Sequence, residues 1–141
     1  MALIVQKFGG TSVGSPAKIK AVAERVLRNK SQGNQMVVVL SAMSGETNRL
    51  VDLASQMQEL PDTREMDMLL STGEQVTVSL FAMAVKEAGD DAVSFLGDQV
   101  KIKTDSVHTK ARIESIDSKK ILAELNQGGN FIPLLDKEGG G

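Results

Sequence analysis

Residues 6–14 read QKFGGTSVG. A lysine, two adjacent glycines, a threonine and a serine stand between an apolar run and a helix-like stretch. Glycines let backbone N–H groups approach an anion closely, and the N-terminus of a following helix adds the positive end of its dipole. Lys7 adds a full charge that can rest on phosphoryl oxygens during transfer. The pattern reads as a phosphate grip, set against the plainer reading of a tight βα turn with a surface lysine. Walker A spacing and the G-x-G-x-x-G pattern are both absent, which excludes a P-loop NTPase and a standard dinucleotide fold. Two further segments have the same small, polar character. SAMSGETN at 41–48 offers the hydroxyls of Ser41, Ser44 and Thr47 beside Gly45, with a helix N-cap at Ser44 or Thr47 as the alternative. STGEQ at 71–75 presents Glu74 beside an expected helix start. There it could bind a substrate ammonium, or simply favour the first helical turn.

The elements that must position these residues alternate. Ala2–Phe8 is a short apolar run ending at Gly-Gly. Pro16–Asn29 carries Ile19, Val22, Ala23, Val26 and Leu27 at helical spacing, with Ser15 as N-cap and Pro16 as first helical residue. Gly33 and Asn34 break the chain before Met36–Leu40, a β-branched run suited to a strand buried on both faces. Ser41–Glu46 reads as a loop, and Leu50, Leu53, Ala54 and Met57 as a helical stripe. After a turn at Pro61–Asp62, Arg64–Leu70 reads as a short helix. STGE separates it from a second helix carrying Val76, Leu80, Phe81, Ala84 and Val85, closed by Gly89. Ala92–Leu96 is the third strand. Val100–Thr104 and Ala111–Ile116 are further strand segments, and Asp117 or Ser118 caps a helix with Ile121, Leu122 and Leu125 that ends at Gly128. The run 131–135, FIPLL, looks like a strand weakened by Pro133. Strands alternating with helices imply an α/β fold with a parallel sheet covered by helices. Ligands of such sheets bind at the carboxyl ends of the strands, where all three polar segments are expected.

Composition narrows the chemistry. With 141 residues, 41% hydrophobic and 24% charged, the chain can build one domain with a real core. A net charge of −2 gives no electrostatic footprint for nucleic acid or an anionic membrane. The absence of Trp and Tyr argues against base-stacking platforms. No cysteine is present, so disulfides, thiolate metal sites and cysteine nucleophiles are excluded. A single histidine, His108, reads as a structural or surface residue, Lys119-Lys120 as a solvated helix face, and the methionines as core filler. The first residues do not form a signal peptide, and no apolar stretch approaches the ~20 residues of a membrane span. A cytoplasmic location is expected.

Taken together, KFGGTSV at 7–13, VVVLSAMSGETNRL at 37–50 and STGEQVT at 71–77 resemble aspartate kinase, a branch of the amino acid kinase superfamily. TDSVHTKARI at 104–113 resembles a fourth family segment, and the match runs in order over residues 1–128. The resemblance implies a parallel-sheet αβα sandwich of the amino acid kinase type, represented by its N-terminal portion. It implies transfer of phosphate from Mg-ATP to the β-carboxylate of L-aspartate, the entry step to lysine, threonine and methionine. By the same resemblance, Lys7, Gly9, Gly10, Thr11, Ser12 and Ser41 face the ATP phosphates, and Lys7 is the catalytic cation. Thr47 and Glu74 bind aspartate, with Glu74 near its amino group, and Mg2+ is held mainly through the nucleotide. Residues 129–141 depart from the family pattern. The nucleotide-binding half and two ACT regulatory domains have no counterpart, so the 141-residue segment alone is expected to be inactive. The partners implied are aspartate and ATP, together with a homo-oligomer or further kinase subunits. The alternatives are a glutamate- or carbamate-type kinase and a non-catalytic interaction domain derived from a kinase.

Overall fold

The computed structural model describes residues 3–95, the strand backbones at 102–104 and 113–116, and residues 131–136. Its elements run β1 (Leu3–Phe8), α1 (Pro16–Ser31), β2 (Gln35–Leu40), α2 (Glu46–Met57), α3 (Thr63–Glu87), β3 (Ala92–Phe95), β4 (Ile102–Thr104), β5 (Ile113–Ile116) and β6 (Ile132–Asp136). The expected helix 117–128 and His108 lie outside the described residues. β1, β2, β6 and β3 form one parallel sheet in that order, with Lys7 opposite Val39 and Phe8 opposite Leu40. The three strands expected in one parallel sheet are all there, but β6 separates β2 from β3. The pair β4–β5 is antiparallel and forms a sheet of its own.

Pro133 is tolerated inside β6 because of where its missing donor falls. The Ile132 N–H donates to the Asp91 carbonyl, so the nitrogen of residue 133 faces β2 by the two-residue alternation of a strand. The β2–β6 register begins only at Val38 and Leu134. The proline therefore stands at the mouth of that ladder and removes no rung from it.

One core fills the space between the sheet and the helix pair α1 and α3. Phe8, Met36, Val38, Leu40, Ala92, Ile132 and Leu134 meet Ile19, Val22, Ala23 and Val26 of α1 and Val78, Phe81 and Val85 of α3. Val37, Val39 and Leu135 on the opposite face are buried as well, which is why β2 reads as an unbroken apolar run.

α1 begins as its sequence requires. The Ser15 hydroxyl accepts from the Lys18 N–H and Pro16 occupies the first turn. α3 departs from expectation. STGE does not separate two helices; Thr63–Glu87 is one helix of 25 residues, started by Asp62 accepting from the Glu65 N–H. Its polar residues do not compete with the backbone, because the Ser71, Thr72, Thr77 and Ser79 hydroxyls each donate to a carbonyl one turn back. The helix ends in a Schellman turn: Gly89 at φ 92° donates to Lys86, and Asp90 donates to Val85. By length and composition α3 could cross a membrane. One face of it packs against the sheet through Val78, Phe81 and Val85.

The turn after α3 is tied to the end of α1 by a half-buried ion pair, Lys30 Nζ to Asp90 Oδ1 at 2.6 Å. Burial pushes the Asp90 carboxyl up, but the Lys30 hydrogen bond, the Asp91 N–H and the lysine charge outweigh it and hold the group below its ordinary value. A lowered folded-state pKa gives stability that is present above the unfolded carboxyl range and lost as pH falls through the folded value. Asp90→Asn is therefore expected to cost about 1 kcal/mol at neutral pH and almost nothing in strong acid. Urea unfolding at the two pH values measures this, and an undiminished deficit in acid would contradict the electrostatic origin.

Candidate functional site

The carboxyl ends of β1 and β2 lie side by side, and each leads into a polar loop. From β1 the chain passes through Gly9–Ser15 to α1, and from β2 through Ser41–Gly45 to α2. The two loops are stitched together by backbone. The Ser41 N–H donates to Phe8 O at 3.3 Å, and the Ser44 N–H donates to Gly10 O at 3.1 Å. The first loop is also turned on itself, with the Ser12 N–H bonded to Gly9 O at 3.1 Å.

This contact explains one of the two glycines. A Cβ at Gly10 would fall 2.7 Å from the Ala42 carbonyl oxygen, a backbone atom that cannot swing away. A Cβ at Gly9 would meet nothing within 4 Å. Gly10 is thus required by the seam between the loops, whereas Gly9 leaves its backbone open to an approaching ligand.

Glu74 reaches the same edge by a route the sequence reading did not anticipate. It stands in the middle of α3, not at a helix start, and is only 8% exposed. Its neighbour Gly73 is buried where α3 crosses the second loop. A Cβ there would lie 3.1 Å from Ala42 Cβ, 3.3 Å from Glu46 Cγ and 3.5 Å from Leu50 Cδ1. The three polar segments therefore do converge, two as strand-end loops and the third as the flank of a helix.

The remaining residues take these places. Lys7 is exposed near the carboxyl end of β1, Thr11 and Ser12 are exposed on the first loop, and Ser41 is half-buried at the start of the second. Thr47 is exposed in the first turn of α2. Neither Ser44 nor Thr47 caps that helix. The N-cap is Gly45, in the left-handed region at φ 85°, with no side-chain cap bond. The α2 N-terminus thus presents first-turn amides and a positive dipole end beside the loop seam.

Three side chains here were not singled out by type or spacing. Lys18 Nζ reaches back 3.3 Å to the Thr11 carbonyl, bracing the first loop with a second cation. Glu46 and Arg49 form a two-bond pair at the start of α2, with Arg49 Nη2 2.6 Å from Glu46 Oε1. The Arg49 hydrogen bond holds the Glu46 carboxyl below its ordinary value, and Glu46 raises Arg49 in return. The E-x-x-R spacing on one helix face was the available signal for this pair. Among the described residues no three His, Asp or Glu side chains gather as a metal-ligating group. The donor set of backbone N–H groups, hydroxyls and Lys7 suits anionic oxygens.

The arrangement is a parallel α/β sheet whose first two strand ends carry a glycine-containing loop and a hydroxyl-bearing loop, flanked by a buried glutamate on a helix. The chain belongs to the amino acid kinase family, whose model matches residues 2–140. It is 59% identical over 128 residues to the aspartate kinase of Pseudomonas putida, covering 91% of this chain and 31% of that protein. The crystal structure of aspartate kinase from Synechocystis superposes with a TM-score of 0.75 at 43% identity, over 94% of this chain and 21% of that one. Escherichia coli aspartokinase III, solved with aspartate and ADP, shares the fold at a TM-score of 0.68 and 22% identity, over 96% and 40% of the two chains. The chain thus spans about a third of the length of its curated relatives.

The seam makes a stability prediction. Gly10→Ala forces a side chain against the Ala42 carbonyl and is expected to cost about 1–3 kcal/mol. Gly9→Ala, with open space around it, is expected to cost under about 0.5 kcal/mol. Chemical denaturation of the two variants compares them directly, and equal losses would mean that the loop contact does not constrain residue 10.

Proposed function

We propose that the chain forms one side of the active cleft of an aspartate kinase. That enzyme transfers the γ-phosphoryl group of Mg-ATP to the β-carboxylate of L-aspartate, giving aspartyl phosphate and ADP for lysine, threonine and methionine synthesis. The observation that carries this reading is the convergence of KFGGTS, SAMSGETN and STGEQ on one sheet edge through Gly10, Ala42 and Gly73. The support from similar proteins is the 59% identity over 128 residues to one aspartate kinase and the structural match at 43% identity to another.

The roles follow from the chemistry. An aspartate carboxylate oxygen attacks the γ-phosphorus, the bond to the β-phosphate oxygen breaks, and ADP departs. The substrate is itself the nucleophile, so positioning and charge neutralisation suffice. Lys7 lies along the transferring phosphoryl oxygens. The Gly9–Gly10 backbone, Thr11 and Ser12 cradle the nucleotide phosphates, and Ser41 approaches them from the second loop. Thr47 holds a substrate carboxylate, and Glu74 accepts from the substrate ammonium. Burial of Glu74 in the flank of α3 places it in a medium of lower dielectric than water, where its attraction for an ammonium group is stronger. Magnesium would be carried by the nucleotide phosphates and would offset their charge.

In this reading residues 1–128 are the N-terminal part of the kinase domain. Residues 129–141 are divergent in sequence but supply β6. The nucleotide-binding half and ACT regulatory domains belong to the longer enzyme, which works in the cytoplasm as a homo-oligomer or with further kinase subunits.

The test uses the full-length enzyme that carries this segment, with ADP release measured against aspartate, glutamate and carbamate. Aspartate-dependent turnover is expected; turnover of another acceptor without aspartate would reassign the substrate. Lys7→Ala is expected to lower kcat by about a hundredfold or more while changing the aspartate KM little, because its charge matters most in the transition state. Glu74→Ala is expected to raise the aspartate KM by about tenfold or more. The same kinetic pattern in both variants would refute this division of roles.

A further inference from the structure

Gly73 breaks a local rule. A glycine inside a helix costs about 1 kcal/mol relative to alanine, yet this one sits near the middle of the longest helix described. Its φ is not positive, so the backbone does not require glycine. The surroundings do: a methyl group at 73 would press on Ala42 Cβ at 3.1 Å and Glu46 Cγ at 3.3 Å. Ala42 is also the residue whose carbonyl leaves no room for a side chain at Gly10. One small residue of the second loop is therefore clasped from both sides, by the first loop through its carbonyl and by α3 through its methyl.

We propose that Gly73 is a positioning residue for the amino-acid substrate. The missing side chain lets α3 seat directly on Ala42, and this sets how far the Glu74 carboxylate stands from the phosphate loop. The inference rests on the aspartate kinase reading above and goes beyond it, because Gly73 touches neither substrate in that reading. Helix packing alone would account for a buried glycine, but the two accounts predict different things. A packing role concerns stability. A positioning role concerns the next residue along the chain, and a shift of a few tenths of an ångström in α3 reaches the substrate ammonium before it reaches the nucleotide.

The experiment is a double-mutant cycle in the full-length enzyme with Gly73→Ala, Ala42→Gly and the combination. Gly73→Ala is expected to raise the aspartate KM by about tenfold while the ATP KM changes by less than about twofold. The thermal midpoint should change little, since the gain in helix propensity opposes the crowding. Removing the methyl at 42 makes room for the one at 73, so the combined variant should return the aspartate KM to within about threefold of wild type. An unchanged aspartate KM in Gly73→Ala, equal shifts for both substrates, or a folded double variant without recovery would each overturn the inference. If Gly73→Ala does not fold, recovery of folding and of the aspartate KM together in the combined variant still supports it, and recovery of folding alone overturns it. A wild-type enzyme that releases no ADP with aspartate would instead overturn the functional reading, and this inference with it.

Discussion

Close backbone approach at Ala42 is the constraint on which the site depends. Parallel strands bring the ends of β1 and β2 within hydrogen-bonding distance, but strand pairing alone does not fix the loops beyond them. Here the Ser44 N–H bonds Gly10 O, and the Ala42 carbonyl lies where a side chain at residue 10 would stand. The second loop is thereby pressed onto the first. α3 then closes on the same residue from the other side, with glycine again at the contact. Three segments distant in sequence become one surface because two of them lack side chains where they meet Ala42.

The core makes that arrangement rigid. α1 and α3 share one face of the sheet through a common apolar cluster, so the helix bearing Glu74 is anchored by Phe81 and Val85, which are fully buried. Ser94 adds a hydrogen bond from β3 to the Val78 carbonyl of α3. A carboxylate mounted on a packed helix keeps its direction better than one on a loop. The ion pair Lys30–Asp90 holds the far end of the same helix pair, remote from the polar edge.

Much of this was legible locally. Ser15-Pro16 is a helix start wherever it occurs, and Gly33 and Gly89 adopt the positive φ that made them breaks in the pattern. The all-apolar MVVVL run announced a strand buried on both faces. The misreadings share a cause. STGE looked like a break because Ser, Thr and Gly are poor helix residues on their own. In the fold the hydroxyls bond back one turn and the glycine is held by contact with another loop, so packing overrides propensity. Pro133 looked like a mark against a strand, yet β6 lies between β2 and β3, because its missing donor falls just outside the β2–β6 ladder.

By itself the sequence determined the alternation of strands and helices, the buried strands, the chemical types of the candidate residues, and through its motifs the likeness to aspartate kinases. These depend on nearest neighbours and on short periods, which a linear chain displays directly. Only the tertiary structure decided that Glu74 belongs to the flank of a continuous helix, that β6 enters the middle of the sheet, and that Gly10 and Gly73 serve one contact. Those facts depend on which segments distant in sequence pack against one another, and no local pattern encodes a contact between residues that meet only when the chain has folded.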